Sequence, residues 1–310
     1  MQNPGALLHL DSSDLALYTE VSAGFRKVLN HHNCESAMLW RRAKVNRNPI
    51  SIAFLRSQAG KLERLEREVC HRFNVNLTVS SEDSVLLQKI NPQAHFHVVE
   101  NGTDTDYFQP LGLAEEPNSL VFAGSLDWYP NQSALQYFRA EIWPELRRTV
   151  SDIRLEMAGR NPAEWMTKWA EEDSRVTLTP NPEDIRPSMD RGAVFLCPIV
   201  DGGGTRLKLL DAMAMGKAIV TTSIGCEGLR AVPGRELMVA DSPADFSAAV
   251  LRLLRDEPLR WKLQQAAREF VVQEYSWNRI GEQLEEAYQE AIGSSESGSL
   301  RVSAKHAPVM

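Results

Sequence analysis

Much of what would mark a membrane, secreted or metal-dependent protein is missing from this sequence. None of its 310 residues lie in a run approaching the roughly 18 apolar residues of a membrane span. The opening MQNPGALLHLDSSD has no basic segment and no long apolar core, so no secretory signal peptide is expected. The four cysteines (Cys34, Cys70, Cys197 and Cys226) are scattered, with no C-x-x-C pair. That fits reduced, mostly buried thiols in a cytoplasmic protein better than a disulfide framework or a zinc site. No H-E-x-x-H occurs among the seven histidines, and the His31-His32 and His95/His97 pairs lack carboxylate or cysteine partners at ligand spacing. Neither metal nor cofactor is expected. A net charge of −7 argues against non-specific binding of nucleic acid.

The charge is unevenly spread. Nine basic residues fall between Arg41 and Arg72 (Arg41, Arg42, Lys44, Arg47, Arg56, Lys61, Arg64, Arg67 and Arg72), against the acids Glu63, Glu66 and Glu68. A local excess of this kind suits an anionic membrane surface or an anionic acceptor, and equally a solvated amphipathic helix. The length allows two domains with separate cores.

Three regions separate by pattern: residues 1–110, 111–292 and 293–310. The first opens with an apolar run, Ala6 to Leu10, that reads as a strand. A helix is expected from Asp14 to Leu29, with Ser13 or Asp14 as cap, and another from Ile52 to Phe73. The strands Val75–Ser80 and Phe96–Val99 flank a short helix after Ser81. The second region alternates more cleanly. Strands are expected at Ser119–Ala123, Ile153–Ala158, Val176–Leu178, Ala193–Cys197, Ala218–Thr221 and Leu237–Ala240. Helices are expected at Asn131–Thr149, Leu207–Met215, Ala244–Arg255 and Leu259–Val272. Such alternation implies right-handed crossovers and a parallel sheet, which binds ligands at the carboxyl ends of its strands. The last region is Ser/Gly-rich and aperiodic, and reads as a disordered tail.

The richest loop follows the strand Ala193–Cys197. Gly202, Gly203 and Gly204 allow a close backbone approach, and the helix beginning near Thr205 adds unpaired N–H groups and the positive end of its dipole. Together they make a diphosphate-sized anion site, completed by Arg206, Leu207 and Lys208. Asp211, one turn after Lys208 on the same face, could accept ribose hydroxyl hydrogens. A flexible surface loop with a solvated Lys–Asp pair is the plainer alternative. Elsewhere, Gly124-Ser125 either approaches a phosphate or forms a simple turn. Arg160 either faces the base and diphosphate or lies on the surface. Trp128-Tyr129 stacks on a ligand or packs.

The string DGGGTRLKLLDAMAMGKAIVTT (Asp201–Thr222) resembles the donor-site motif of glycosyltransferase family 4, in the Gly-rich, exopolysaccharide-type branch carrying G-G-G-T-R-x-K-x-x-E-A-M-A. In the same order VENGTDTDYFQP (Val99–Pro110) resembles that family's interdomain linker. FAGSLDWYPNQSAL (Phe122–Leu135), IWPELRR (Ile142–Arg148), MAGRNP (Met157–Pro162) and Tyr275-Ser276-Trp277 resemble further family segments. The resemblance covers about Asn74 to Tyr288 and implies an α/β GT-B fold. That fold pairs a Rossmann-like parallel-sheet donor domain with an N-terminal Rossmann-like acceptor domain, here partial. It further implies a UDP- or GDP-sugar donor, retention of anomeric configuration, no obligatory metal, and a helix from Trp277 to Ala291 returning to the first domain. By the same resemblance Glu183, Asp184 and Ile185 would meet the base edge, although Asp184 is equally a helix cap. Gly225 and Glu227 would face the interdomain cleft.

Two positions depart from the pattern. Asp211 replaces a glutamate, and Gly203 stands where many members have another. The family's N-terminal glycine-rich loop has no counterpart before Gly102. The function expected is sugar transfer to a glycan or lipid-linked acceptor in polysaccharide biosynthesis, in the cytoplasm or at the inner membrane face. The alternative is a truncated nucleotide-sugar-binding module that needs a partner chain to complete its acceptor side.

Overall fold

The computed structural model describes residues 6–22, 24–201 and 207–293. The first domain holds a four-stranded parallel sheet in the order β1-β2-β3-β4. Its elements are β1 (Leu7–Leu10), β2 (Arg26–His31), α1 (Glu35–Val45), α2 (Pro49–Val69), β3 (Val75–Thr78), α3 (Ser81–Ile90) and β4 (Phe96–Val98). Helices α2 and α3 start where the sequence supplies caps. Asn48 accepts from the amides of Ile50 and Ser51 ahead of Pro49. Ser80 accepts from Asp83 N and donates to its carboxylate. Buried Glu66 on α2 accepts from both the amide and the hydroxyl of Ser36, tying the start of α1 to α2.

The structure corrects one stretch of the sequence reading. In place of one helix over Asp14–Leu29 there is a 3₁₀ segment, Ser13–Ser22, and then the strand β2. Gly24 stands between them at φ 97°, a conformation that ends a helical run. Val28 and Leu29 then bury on opposite faces of the sheet, as successive strand residues do.

The second domain is a six-stranded parallel sheet in the order β10-β9-β8-β5-β6-β7. In chain order it comprises β5 (Glu116–Ala123), α4 (Tyr129–Tyr137), α5 (Trp143–Thr149), β6 (Arg154–Gly159), α6 (Glu164–Glu172) and β7 (Val176–Pro180). There follow α7 (Arg186–Arg191), β8 (Gly192–Cys197), α8 (Leu207–Ala214), β9 (Ala218–Thr221), β10 (Met238–Val239), α9 (Pro243–Arg255), α10 (Glu257–Glu274) and α11 (Trp277–Gly293). The helix expected over Asn131–Thr149 is present, running without a gap from Tyr129 to Thr149, but its pitch changes midway. A π turn, Phe138–Ile142, lies between α4 and α5, and Pro144, which cannot donate, opens α5.

Both faces of this sheet are covered. Leu120, Phe122, Leu155, Met157, Val194 and Leu196 pack on one side with Phe138, Trp143 and Phe246. Val121, Phe195 and Ile219 pack on the other with Leu209 and Met213 of α8 and Ala267 of α10. That two-sided burial explains why β8 reads as the continuous apolar run AVFLC. As expected, α11 returns to the first domain, where Ala287 and Ala291 pack on Val28, Val75 and Leu77.

Candidate functional site

The strand order reverses between β5 and β8. Both strands are parallel, yet the chain leaves β5 toward β6 on one side and leaves β8 toward β9 on the other. The connections therefore diverge, opening a crevice at the carboxyl ends of the two strands, where doubly wound sheets bind ligands. The loop after β5 begins at Gly124, and the loop after β8 leads into α8.

Lys208, in the first turn of α8, spans this crevice. Its ammonium donates to Asn131 Oδ1 on α4 and lies 4.2 Å from the ring centroid of Phe122 on β5. Asn131 is fixed in turn by donating to Ser125 O at 2.7 Å. A β-carbon on Gly124 would stand 3.2 Å from Lys208 Nζ, so the lysine lies against bare backbone. Gly124 N donates to Ala158 O at 3.1 Å and Leu126 N to Arg160 O at 2.8 Å, which binds the β5 and β6 loop starts together. Arg160 is exposed and donates through Nη2 to Ser125 Oγ at 3.2 Å. The structure thus brings Gly124, Arg160 and Lys208 to one crevice. Leu207 opens α8 with an exposed side chain. Gly202, Gly203, Gly204, Thr205 and Arg206 lie outside the described residues.

Asp211 shares the Lys208 face of α8 but is held elsewhere: its Oδ1 accepts from Thr103 Oγ1 of the linker at 2.7 Å. Burial pushes its carboxyl up to about 6. The linker is fastened to the second domain at other points as well. Arg268 donates to Phe108 O and Thr105 O, and Glu100 pairs with Arg230 at 2.9 Å.

Asp184 behaves as a local structural residue. Its carboxylate accepts from Arg186 N at 2.9 Å and pairs with the Arg186 guanidinium, whose hydrogen bonds hold it below the usual carboxylate range. Arg186 also covers the Tyr107 ring at 3.8 Å. Glu227 faces the cleft between the domains, as the resemblance implied, and pairs with Arg41 of α1 at 2.6 Å. Arg42 lies over the Tyr129 ring at 4.9 Å. The basic stretch of the sequence is therefore divided, with its first two arginines turned across the cleft. Sequence reasoning missed Asn131, buried at 1% exposure, and these two arginines. Only the PNQSAL string after the β5 loop marked Asn131, and only the strand order shows that it meets Lys208.

Residues 117–256 match the family model described as Glycosyl transferases group 1. A Klebsiella pneumoniae protein described as an uncharacterized 44.6 kDa protein in the cps region is 25% identical over 169 residues. The match takes in 52% of this chain and 44% of that protein. Among solved structures, TarM of S. aureus superposes with a TM-score of 0.72 at 12% identity, covering 91% of this chain and 54% of TarM. HepE of Anabaena, solved in complex with UDP, superposes with a TM-score of 0.69 at 13% identity, covering 90% of this chain and 77% of HepE. The chain thus spans about half the length of the first two. The architecture is GT-B: two α/β domains with Rossmann-like parallel sheets facing across a cleft, joined by a linker and a returning C-terminal helix.

Proposed function

We propose that the protein is a glycosyltransferase that takes a sugar from a UDP- or GDP-sugar and passes it, with retained anomeric configuration, to a glycan or lipid-linked acceptor. The observation that carries the reading is the placement of Lys208 across the β5–β8 crevice, beside bare backbone at Gly124. A diphosphate seated there meets an ammonium, backbone amides and, at the rim, Arg160. These groups stabilise charge on the leaving nucleotide, and the reading assigns that task to no metal. The match of residues 117–256 to group 1 glycosyl transferases and the UDP complex of HepE support the donor class. The cps-region relative supports a place in polysaccharide assembly. Donor-binding residues are assigned as Gly124, Arg160, Gly202, Gly203, Gly204, Thr205, Arg206, Leu207, Lys208 and Asp211, with the domains divided at 110/111 and the second ending at 292. The test is acceptor-dependent release of UDP or GDP from nucleotide sugars by the isolated chain. Turnover that persists in excess chelator is expected, and failure to turn over any such donor with any acceptor contradicts the reading.

A second reading is a nucleotide-sugar-binding module that transfers only when another chain completes the acceptor side. What favours it is the outer edge of β1, which pairs with no other strand among the described residues. Donor binding without turnover by the isolated chain would select it.

A further inference from the structure

Beyond the two arginines that reach across the cleft, the basic stretch continues from the end of α1 into α2. Along α2, Ile50, Phe54, Ser57, Lys61 and Arg64 recur at intervals of four and three residues and so share one stripe. All five are exposed, and the two apolar ones are the most conspicuous: Ile50 is 80% exposed and Phe54 62%. The stripe is about 21 Å long at the α-helical rise. Lys44 and Arg47 flank its apolar end at the hairpin turn. Arg67 and Arg72 are neutralised by Glu63 and Glu68. Lys44, Arg47, Arg56, Lys61 and Arg64, by contrast, make no ion pair among the described residues.

We propose that this stripe docks the protein on an anionic lipid bilayer, with Ile50 and Phe54 entering the headgroup boundary and Lys44, Arg47, Lys61 and Arg64 meeting anionic headgroups. The charge argues for that occupant. A surface of unpaired cations beside two exposed apolar side chains complements an anionic, apolar-cored sheet, and the whole chain, at −7, is otherwise repelled by it. Arg41 and Arg42, on α1 of the same hairpin, touch Glu227 and Tyr129 across the cleft. Docking would therefore set the cleft beside the bilayer, where a lipid-linked acceptor lies. That last step rests on the proposed function, whereas the docking does not.

The experiment is co-sedimentation of the full chain with vesicles of phosphatidylcholine alone, or of two parts phosphatidylcholine to one of phosphatidylglycerol. Each is run at about 0.1 M and about 1 M salt, which shortens the Debye length from about 10 Å to about 3 Å. Binding is expected on the anionic vesicles at low salt and should weaken at high salt. Lys61→Glu/Arg64→Glu should lower the partition coefficient more than ~20-fold, at roughly five-fold per basic residue lost. Ile50→Ser/Phe54→Ser should lower it about ten-fold. All four side chains are exposed or solvent-facing, so thermal unfolding should match wild type, and UDP affinity measured in parallel should not change. Equal sedimentation with both vesicle types, or double variants that bind like wild type, would overturn the proposal. So would a wild-type dimer that Ile50→Ser/Phe54→Ser converts to monomer, which would assign the stripe to a second copy.

Discussion

Gly159→Ala is the most demanding perturbation of the crevice. Gly159 ends β6, and a β-carbon there would lie 1.7 Å from the carbonyl oxygen of Gly124 and 2.9 Å from its carbonyl carbon. Real β-carbons essentially never come within 3.0 Å of such atoms, so the two backbones must part by more than an ångström. The hydrogen bonds from Gly124 N to Ala158 O and from Leu126 N to Arg160 O hold them together and would be strained or lost. Overpacking costs about 1–3 kcal/mol, and each lost backbone hydrogen bond adds about 0.5–1.5 kcal/mol. The sum is on the order of 3 kcal/mol, a fall in melting temperature of about 6 °C or more. Gly281→Ala supplies the contrast. Gly281 is exposed within α11, with nothing within 4 Å of its added carbon, so alanine should stabilise by about 0.5–1 kcal/mol. Thermal unfolding by circular dichroism reads both. Nucleotide affinity should fall with Gly159→Ala, because Gly124 moves, and hold with Gly281→Ala. A Gly159→Ala protein that melts with wild type would refute the close approach of the β5 and β6 loops.

Three further outcomes follow from the same geometry. The Asp211 carboxyl is raised from 3.8 to about 6 by burial. Its neutral form is therefore favoured by folding, and that contribution is complete below pH about 4 and lost as pH rises through about 6. Asp211→Asn, which can still accept from Thr103, should match wild type in stability at pH 4 and exceed it by up to about 3 kcal/mol at pH 8; denaturant titrations at both values check this. Arg41→Ala should change stability by less than about 1 kcal/mol, since its pair with Glu227 is half-exposed. It should widen the cleft in solution scattering; an unchanged profile would mean that the pair does not hold the domains. Phe246→Ala, in the centre of the larger core cluster, should cost about 3–5 kcal/mol, and a denaturation midpoint near wild type would contradict that packing.

The second domain was legible because its strands bury both faces and two of its later helices, α9 and α10, carry their own start signals. Ser242 and Asp256 cap α9 and α10 just before prolines that suit a first turn. In the first domain β2 was hidden, because Asp14–Leu29 has apolar residues at helical spacing and only the backbone at Gly24 shows where the helical run stops. The Lys208–Asp211 spacing correctly put both on one face of α8, but their partners belong to distant segments. Asn131 lies 77 residues away and Thr103 lies 108 residues away, so no local pattern could pair them. The basic stretch read as a single patch, yet Arg41 and Arg42 of α1 reach across the cleft to Glu227 and Tyr129, while Lys61 and Arg64 lie exposed on α2.

The central claim is that the β5–β8 crevice binds a nucleoside diphosphate sugar through Lys208. Isothermal calorimetry of the wild-type chain and Lys208→Ala with UDP, GDP and their sugars tests it most directly. A contact between the ammonium and a diphosphate is expected to contribute about 1.5–3 kcal/mol, so the substitution should weaken affinity about 10- to 150-fold. Saturable wild-type binding with that loss is the predicted result. Equal affinities would remove Lys208 from the site, and no binding of any of these ligands would contradict the account as a whole.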